Sequence, residues 1–193
     1  RIVKPDGTAL TVESDTMFVD VWSYDEFPFY TFRAVKSDGT FAIPLPAGTY
    51  NVAVWLDPDV YPNYLSPAIN PLRVEGAKDM GDIRLAARDA FIKGNVNDQD
   101  GEGVADVFVE AWQPGGGSWT YTSTDDNGSY NLGVADGYWQ VQVWPNNSDP
   151  NEPMYLQSSP AEVRAVKGET VRHDVPLEEI AVWLEGEIVD QQG

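Results

Sequence analysis

Few side chains in this sequence are equipped for chemistry. The only histidine, His173, stands beside Asp174, but the Gly-x-Ser-x-Gly turn that would present a serine nucleophile is absent. Gly115-Gly116-Gly117 is followed by Ser118 rather than a lysine, and Gly101-Glu102-Gly103 lacks a third glycine, so neither is a phosphate cradle. With 31 Asp and Glu residues, chance carboxylate neighbours are plentiful and none stands out as a glycosidase acid and base. There is no cysteine, which removes disulfides, thiolate nucleophiles and Cys-bound metals together. The chain reads as non-enzymatic.

Two patterns could still hold a ligand. Asn97, Asp98, Asp100 and Glu102 place oxygen donors around the turn residue Gly101, in the manner of half a calcium loop, because Ca2+ takes six to eight oxygens. Val96 and Val107 stand where the first and twelfth ligands of such a loop would be. The competing reading is a polar turn whose Asp side chains bond their own backbone. The second pattern is aromatic. If Val19, Val21, Val52 and Val54 face a core, strand parity turns Trp22 and Trp55 outward, and Trp112 and Trp144 likewise in the later half. Outward indoles with Asn, Gln and Asp neighbours can stack on sugar rings of a polysaccharide or surface glycan. Residues 56–70 and 145–160, read as long loops, or the next repeat, are the alternative cover for the same indoles.

The elements that carry these residues repeat. Gly39, Gly48 and Trp55 are echoed by Gly128, Gly137 and Trp144, each 89 residues later. Phe18-Val19-Asp20-Val21-Trp22 returns as Phe108-Val109-Glu110-Ala111-Trp112 at an offset of 90. Val74, Gly76, Ile83 and Leu85 return as Val166, Gly168, Val175 and Leu177 at an offset of 92. Residues 92–99 are echoed in turn by 184–191, again 92 apart, whereas Ile2 aligns with Val96. This predicts one repeat over residues 1–88 with a shortened opening strand, a second over 89–179, and the opening strand of a third over 180–193. The fragment boundaries then cut a larger array.

Within each repeat apolar residues alternate with polar ones, as in Tyr50, Val52, Val54 and Trp139, Val141, Val143, which is the period of half-buried strands. Asp38-Gly39, Asn127-Gly128, Pro114-Gly115 and Ala47-Gly48 punctuate them as turns. The predicted fold is all-β: two tandem Ig-like or prealbumin-like antiparallel β-sandwiches of about seven strands each, plus the first strand of a third repeat.

The charge narrows the partners. A formal net charge of −19, from 31 acids against 12 bases, repels polyanions and excludes nucleic acid, whose phosphates require clustered Lys and Arg. At 42% hydrophobic and 12% aromatic content the chain is no disordered acidic tail. No stretch is long and apolar enough to insert into a membrane, and the first residues lack the apolar region of a signal peptide.

The second repeat resembles the carboxypeptidase regulatory-like family, whose relatives include transthyretin-like and Cna B-type domains. The resemblance rests on Ile92-Lys93-Gly94-Asn95-Val96, the turn at Asp100-Gly101, Gly103-Val104-Ala105-Asp106-Val107, Thr124-Asp125-Asp126-Asn127-Gly128-Ser129-Tyr130 and Gly137-Tyr138-Trp139-Gln140-Val141. The first repeat matches more loosely, at Ser37-Asp38-Gly39-Thr40-Phe41 and Gly48-Thr49-Tyr50-Asn51-Val52. The resemblance implies an extracellular or cell-surface stalk or adhesion segment, or a carbohydrate-binding appendage of a secreted enzyme. In Cna B-type relatives a Lys–Asn/Asp isopeptide bond forms beside a buried Glu. Lys93 and Asp174 would be the partners here, but residues 138–143 supply no Glu. The expected partners are adjacent repeats of the same chain, a glycan, and a second copy joined head to tail through residues 181–193, where Trp183, Leu184, Ile188 and Val189 make an apolar strand.

Overall fold

The computed structural model describes residues 1–23, 28–148 and 153–180. It is all-β. The first repeat carries β1 (Ile2–Val3), β2 (Met17–Ser23), β3 (Phe29–Ala34), β4 (Gly48–Leu56), β5 (Tyr64–Val74), β6 (Ile83–Arg84) and β7 (Ala86–Ala87). The second carries β8 (Ala90–Asn97), β9 (Phe108–Trp112), β10 (Gly117–Ser123), β11 (Ser129–Val134), β12 (Gly137–Trp144), β13 (Ala161–Ala165), β14 (Thr170–Arg172) and β15 (Val175–Pro176). No helix among the described residues is long and apolar enough to cross a membrane.

The alternation written in the sequence is the burial pattern. In β2, Met17, Val19 and Val21 are buried while Phe18, Asp20 and Trp22 are only partly covered. In β12, Trp139, Val141 and Val143 are buried. Each such side chain withdrawn from water contributes about 1.5–3 kcal/mol. Equivalent positions in the two repeats solve equivalent problems. Trp139 donates its indole N–H to the Ala135 carbonyl at 2.9 Å, and Tyr50, its counterpart 89 residues earlier, donates its hydroxyl to the Pro46 carbonyl at 2.9 Å. Gly39 and Gly128 both hold positive φ, and their carbonyls accept from the amides of Ile2 and Val96, each at 2.8 Å. A Cβ on Gly128 would lie 2.4 Å from the Val96 carbonyl oxygen and one on Gly39 2.7 Å from that of Ile2, so neither site admits a side chain.

One sheet of nine strands runs through both repeats in the order β13-β12-β9-β10-β5-β4-β2-β3, with β7 pairing β5 off this path. The crossing point is the antiparallel pair β5–β10, where Ala68 faces Gly117, Pro67 faces Ser118 and Ser66 faces Trp119. Residues 64–70 thus belong to a strand, where the sequence reading placed a loop. Pro67 and Asn70 masked the run, in which Leu65 and Pro67 are buried alternately with the half-buried Tyr64, Ser66 and Ala68.

Among the described residues of the first repeat the second layer is the pair β1–β6, and in the later repeat it is four-stranded, built from β11, β8, β14 and β15. There β8 pairs antiparallel with β11 and parallel with β14 and β15, and in the first repeat β1 pairs parallel with β6. These parallel pairs depart from the purely antiparallel expectation. They join the first and last strands of a repeat, which no hairpin connects, so the antiparallel constraint of a tight turn does not apply.

Two clusters of buried side chains result. One gathers Met17, Val19, Val21, Tyr50, Val52 and Val54 with Leu10, Val12, Ile83 and Leu85. The other gathers Ile92, Val96, Val109, Tyr130, Leu132, Val134, Trp139, Val141 and Val143. Leu65 of β5 is fully buried in the second cluster, so a side chain of the first repeat fills a place in the core of the second. The short passage between repeats is held on both sides. Arg88 N–H donates to Asn63, and the Asp89 carbonyl accepts from Gly168 while its N–H reaches Val134.

Candidate binding trough

The outward face of the long sheet is where the tryptophans lie. The residue row Ala53, Ala68, Gly117 crosses β4, β5 and β10 in register. Three small residues in a row leave a floor. On one side β2 raises Asp20 and Trp22, and on the other β9 and β10 raise Glu110, Trp112 and Trp119, enclosing an open trough of about 640 Å3. Asn51 and Gln113 add amides to the lining. From β2 to β9 is four strand spacings, about 19 Å, and the trough straddles the β5–β10 seam between repeats.

The walls are fixed by local structure. The turn that follows Gln113 carries Gly115, Gly116 and Gly117 at φ of 79°, 92° and 145°, which folds β10 back so that Trp119 faces Trp112. Gln113 closes that turn by accepting the Ser118 amide at 3.1 Å through Oε1. Tyr121 stacks on Trp119 with ring centroids 5.5 Å apart, and on Phe108 at 5.1 Å.

The two carboxylates of the trough are chemically alike. Burial pushes the Asp20 carboxyl above its ordinary range, with a hydrogen bond to Tyr30 opposing that shift. Burial raises Glu110 in the same way, opposed by a hydrogen bond from Trp144. Neither forms an ion pair among the described residues. Half-dehydrated acceptors beside indole faces suit a ligand that brings hydroxyl donors and an apolar ring face together.

The four tryptophans singled out from the sequence do not act as one set. Trp22 and Trp112 line the trough. Trp55 sits apart against Phe18, ring centroids 5.8 Å apart, beside a hollow of about 80 Å3 that it shares with Trp119. Trp144, 40% exposed, stands at the far strand β12 opposite Phe108. Trp119, Asp20 and Glu110 line the same trough and are not among the residues singled out from the sequence. A signal for them existed: Asp20 and Glu110 occupy matching places before Trp22 and Trp112, and the glycine-rich turn sets Trp119 across from Trp112.

The acidic turn closes on itself. Asp98 Oδ1 accepts the amides of Asp100 at 2.9 Å and Glu102 at 2.8 Å, and Gly101 N–H donates to the Asp98 carbonyl. Among the described residues no group of three or more His, Cys, Asp or Glu side chains is placed to hold a metal ion. Asp174 is engaged as well. It accepts the Asn95 amide at 2.9 Å and the Arg172 guanidinium at 2.8 Å, and these bonds, the backbone one foremost, hold its carboxyl below the usual range. Lys93 is exposed on β8. Burial lowers the His173 imidazole despite the neighbouring Asp174. Residues 181–193, proposed from the sequence as an associating strand, lie outside the described residues.

No protein-family model matches the chain, and no curated protein matches it in sequence. Among solved structures it is similar to the Bacillus anthracis TIE protein, at 13% identity and a TM-score of 0.41 over 93% of this chain but only 33% of that one. It is also similar to GBS52, the minor pilin of Streptococcus agalactiae, at 11% identity and a TM-score of 0.40 over 97% and 98% of the two chains. A third is the shaft pilin spaA of Lactobacillus rhamnosus GG, at 9% identity and a TM-score of 0.38 over 88% and 89%. At these scores the likenesses carry no functional inference.

Proposed function

We propose that the chain is a non-enzymatic stalk or adhesion segment of a secreted or cell-surface protein, assembled from tandem β-sandwich repeats of carboxypeptidase regulatory-like type. The observation that carries this reading is the sheet continued across the β5–β10 seam, with Leu65 seated in the neighbouring core. A joint made of ladder hydrogen bonds and a buried side chain resists bending in a way that a flexible linker does not. The −19 charge keeps such modules soluble at a surface. Small-angle scattering tests it. The chain should scatter as one rigid body, and Leu65→Glu should give a more expanded, flexible pair. Scattering of the unaltered chain that fits only freely tumbling repeats overturns the reading.

A second reading is favoured by the trough itself: binding of a neutral polysaccharide chain across the seam. Trp22, Trp112 and Trp119 would stack on ring faces while Asp20, Glu110 and Asn51 accept or donate to hydroxyls. Anionic glycans are disfavoured by the two carboxylates. Titration with neutral β-glucan, mannan and chitin oligomers tests it. Binding weakened at least about tenfold by Trp112→Ala, roughly the 1.4 kcal/mol of one lost stacking contact, with an unchanged thermal midpoint, is the expected result. Absence of binding to all three ends this reading.

A further inference from the structure

In a chain with 31 acids and 12 bases, a half-buried cation without an acid is unexpected. Arg1, Arg73, Arg164, Lys167 and Arg172 each make an ion pair. Arg88 makes none among the described residues, although it is half-buried and its Nε is enclosed without a hydrogen-bond partner. Burial holds the guanidinium below its ordinary pKa. An enclosed N–H without an acceptor costs free energy that a ligand oxygen would recover.

Both repeats build the place where Arg88 sits. It follows β7, and its amide donates to the Asn63 carbonyl at 2.9 Å. Its stem lies on β11, where a Cβ on Gly133 would stand 2.5 Å from Cγ and 2.2 Å from Cδ, so glycine there gives the stem its room. Arg88 then lines the hollow of about 80 Å3 together with Trp55, Tyr64, Ser66, Trp119 and Tyr121. That is room for about two or three water molecules, enough for a carboxylate head and too little for a whole ring. The indole and phenol rings offer apolar walls to whatever carries the head. Asp20 and Glu110, which line the trough, do not line this hollow.

We propose that this hollow is a carboxylate-binding site, in which the Arg88 guanidinium takes the carboxylate of a small ring-bearing acid while Trp55 and Trp119 flank the ring outside it. A free aromatic acid and a hexuronate sugar share this chemistry and differ in what they lay against the indoles. The site is separate from the stalk reading and from the neutral-glycan reading of the trough, with which it shares Trp119 alone.

NMR of the full chain at about 0.15 M salt, which screens its negative charge, reads the tryptophan indole N–H signals. Sodium benzoate and a hexuronate disaccharide are the probes, with benzamide and the matching neutral hexose disaccharide as controls of similar shape. The Trp55 and Trp119 signals should move with at least one of the acids, saturating with a Kd of about 1 mM, and with neither control. The tighter acid identifies the source of the carboxylate. Arg88→Gln should weaken that binding about tenfold or more without lowering the thermal midpoint, because it removes a poorly solvated charge. Arg88→Lys keeps the charge but loses the planar fork, and should weaken binding to a lesser degree. Trp112→Ala alters the trough and not the hollow, and should leave carboxylate binding unchanged. Signals that respond to neither acid, an equal response to a control, binding that survives Arg88→Gln, or binding lost with Trp112→Ala would each overturn the proposal. The comparison of acid with amide uses the unaltered chain, so it decides the matter even where a variant fails to fold.

Discussion

The two repeats carry nearly the same pattern and reach different degrees of completion. Around Leu132 the core is closed by β8 on one side and by the long sheet on the other. Around Ile43 the same alternation, with the same turn and glycine before it, remains outside any strand. Local propensity differs: Pro44 and Pro46 stand where the second repeat has Gly133 and Ala135, and with no N–H to donate they cannot complete a ladder. Strand formation here is a consequence of pairing.

The largest break in that comparison comes from the centres of the two cores. Trp139→Ala in the closed repeat should cost about 3–5 kcal/mol, the range for emptying a buried aromatic site, read by denaturant unfolding. Leu132→Ala should cost about 2–5 kcal/mol, whereas Ile43→Ala should cost well under half as much. Equal losses at the two positions would show that the partial burial of Ile43 is not what distinguishes them.

Leu65→Ala removes a first-repeat side chain from the second core and should cost about 2–4 kcal/mol. Calorimetry should then resolve two transitions where the unaltered chain shows one. Coincident transitions in both would mean that the repeats couple by some other contact.

A smaller effect separates the trough from the turns by the sign of its pH dependence. Asp20 and Glu110 have folded pKa values raised by burial. Their contribution to stability is therefore present below the unfolded carboxyl range and lost as pH rises through the raised values. Asp20→Asn and Glu110→Gln should raise the thermal midpoint at neutral pH and leave it unmoved near pH 3, where the acids are already neutral. Asp38, Asp82 and Asp174, held low by hydrogen bonds from Thr40, Arg1 and the Asn95 amide respectively, run the other way, losing their contribution as pH falls. Smallest of all, Asp98→Ala opens a turn that its carboxylate closes through two amides and should cost about 1 kcal/mol. The loss should be equal with added calcium and with chelator if the turn alone is at stake.

The repeat, its offsets and the facing of each strand were legible in the sequence because they are local and periodic. Val19 and Val52 point inward, and Trp22 and Trp112 outward, by parity alone. What could not be read was which strand edges meet. Trp22 and Trp112 stand some ninety residues apart in sequence, and nothing in their surroundings announces that β5 and β10 will pair between them.

The amino-acid order thus determined the two-residue alternation and the glycine turns, since each depends on neighbours within a few positions. Tertiary structure decided the seam and the trough built over it. Edge pairing joins distant segments whose backbone groups are chemically identical everywhere, so only the assembled shape selects which of them come together.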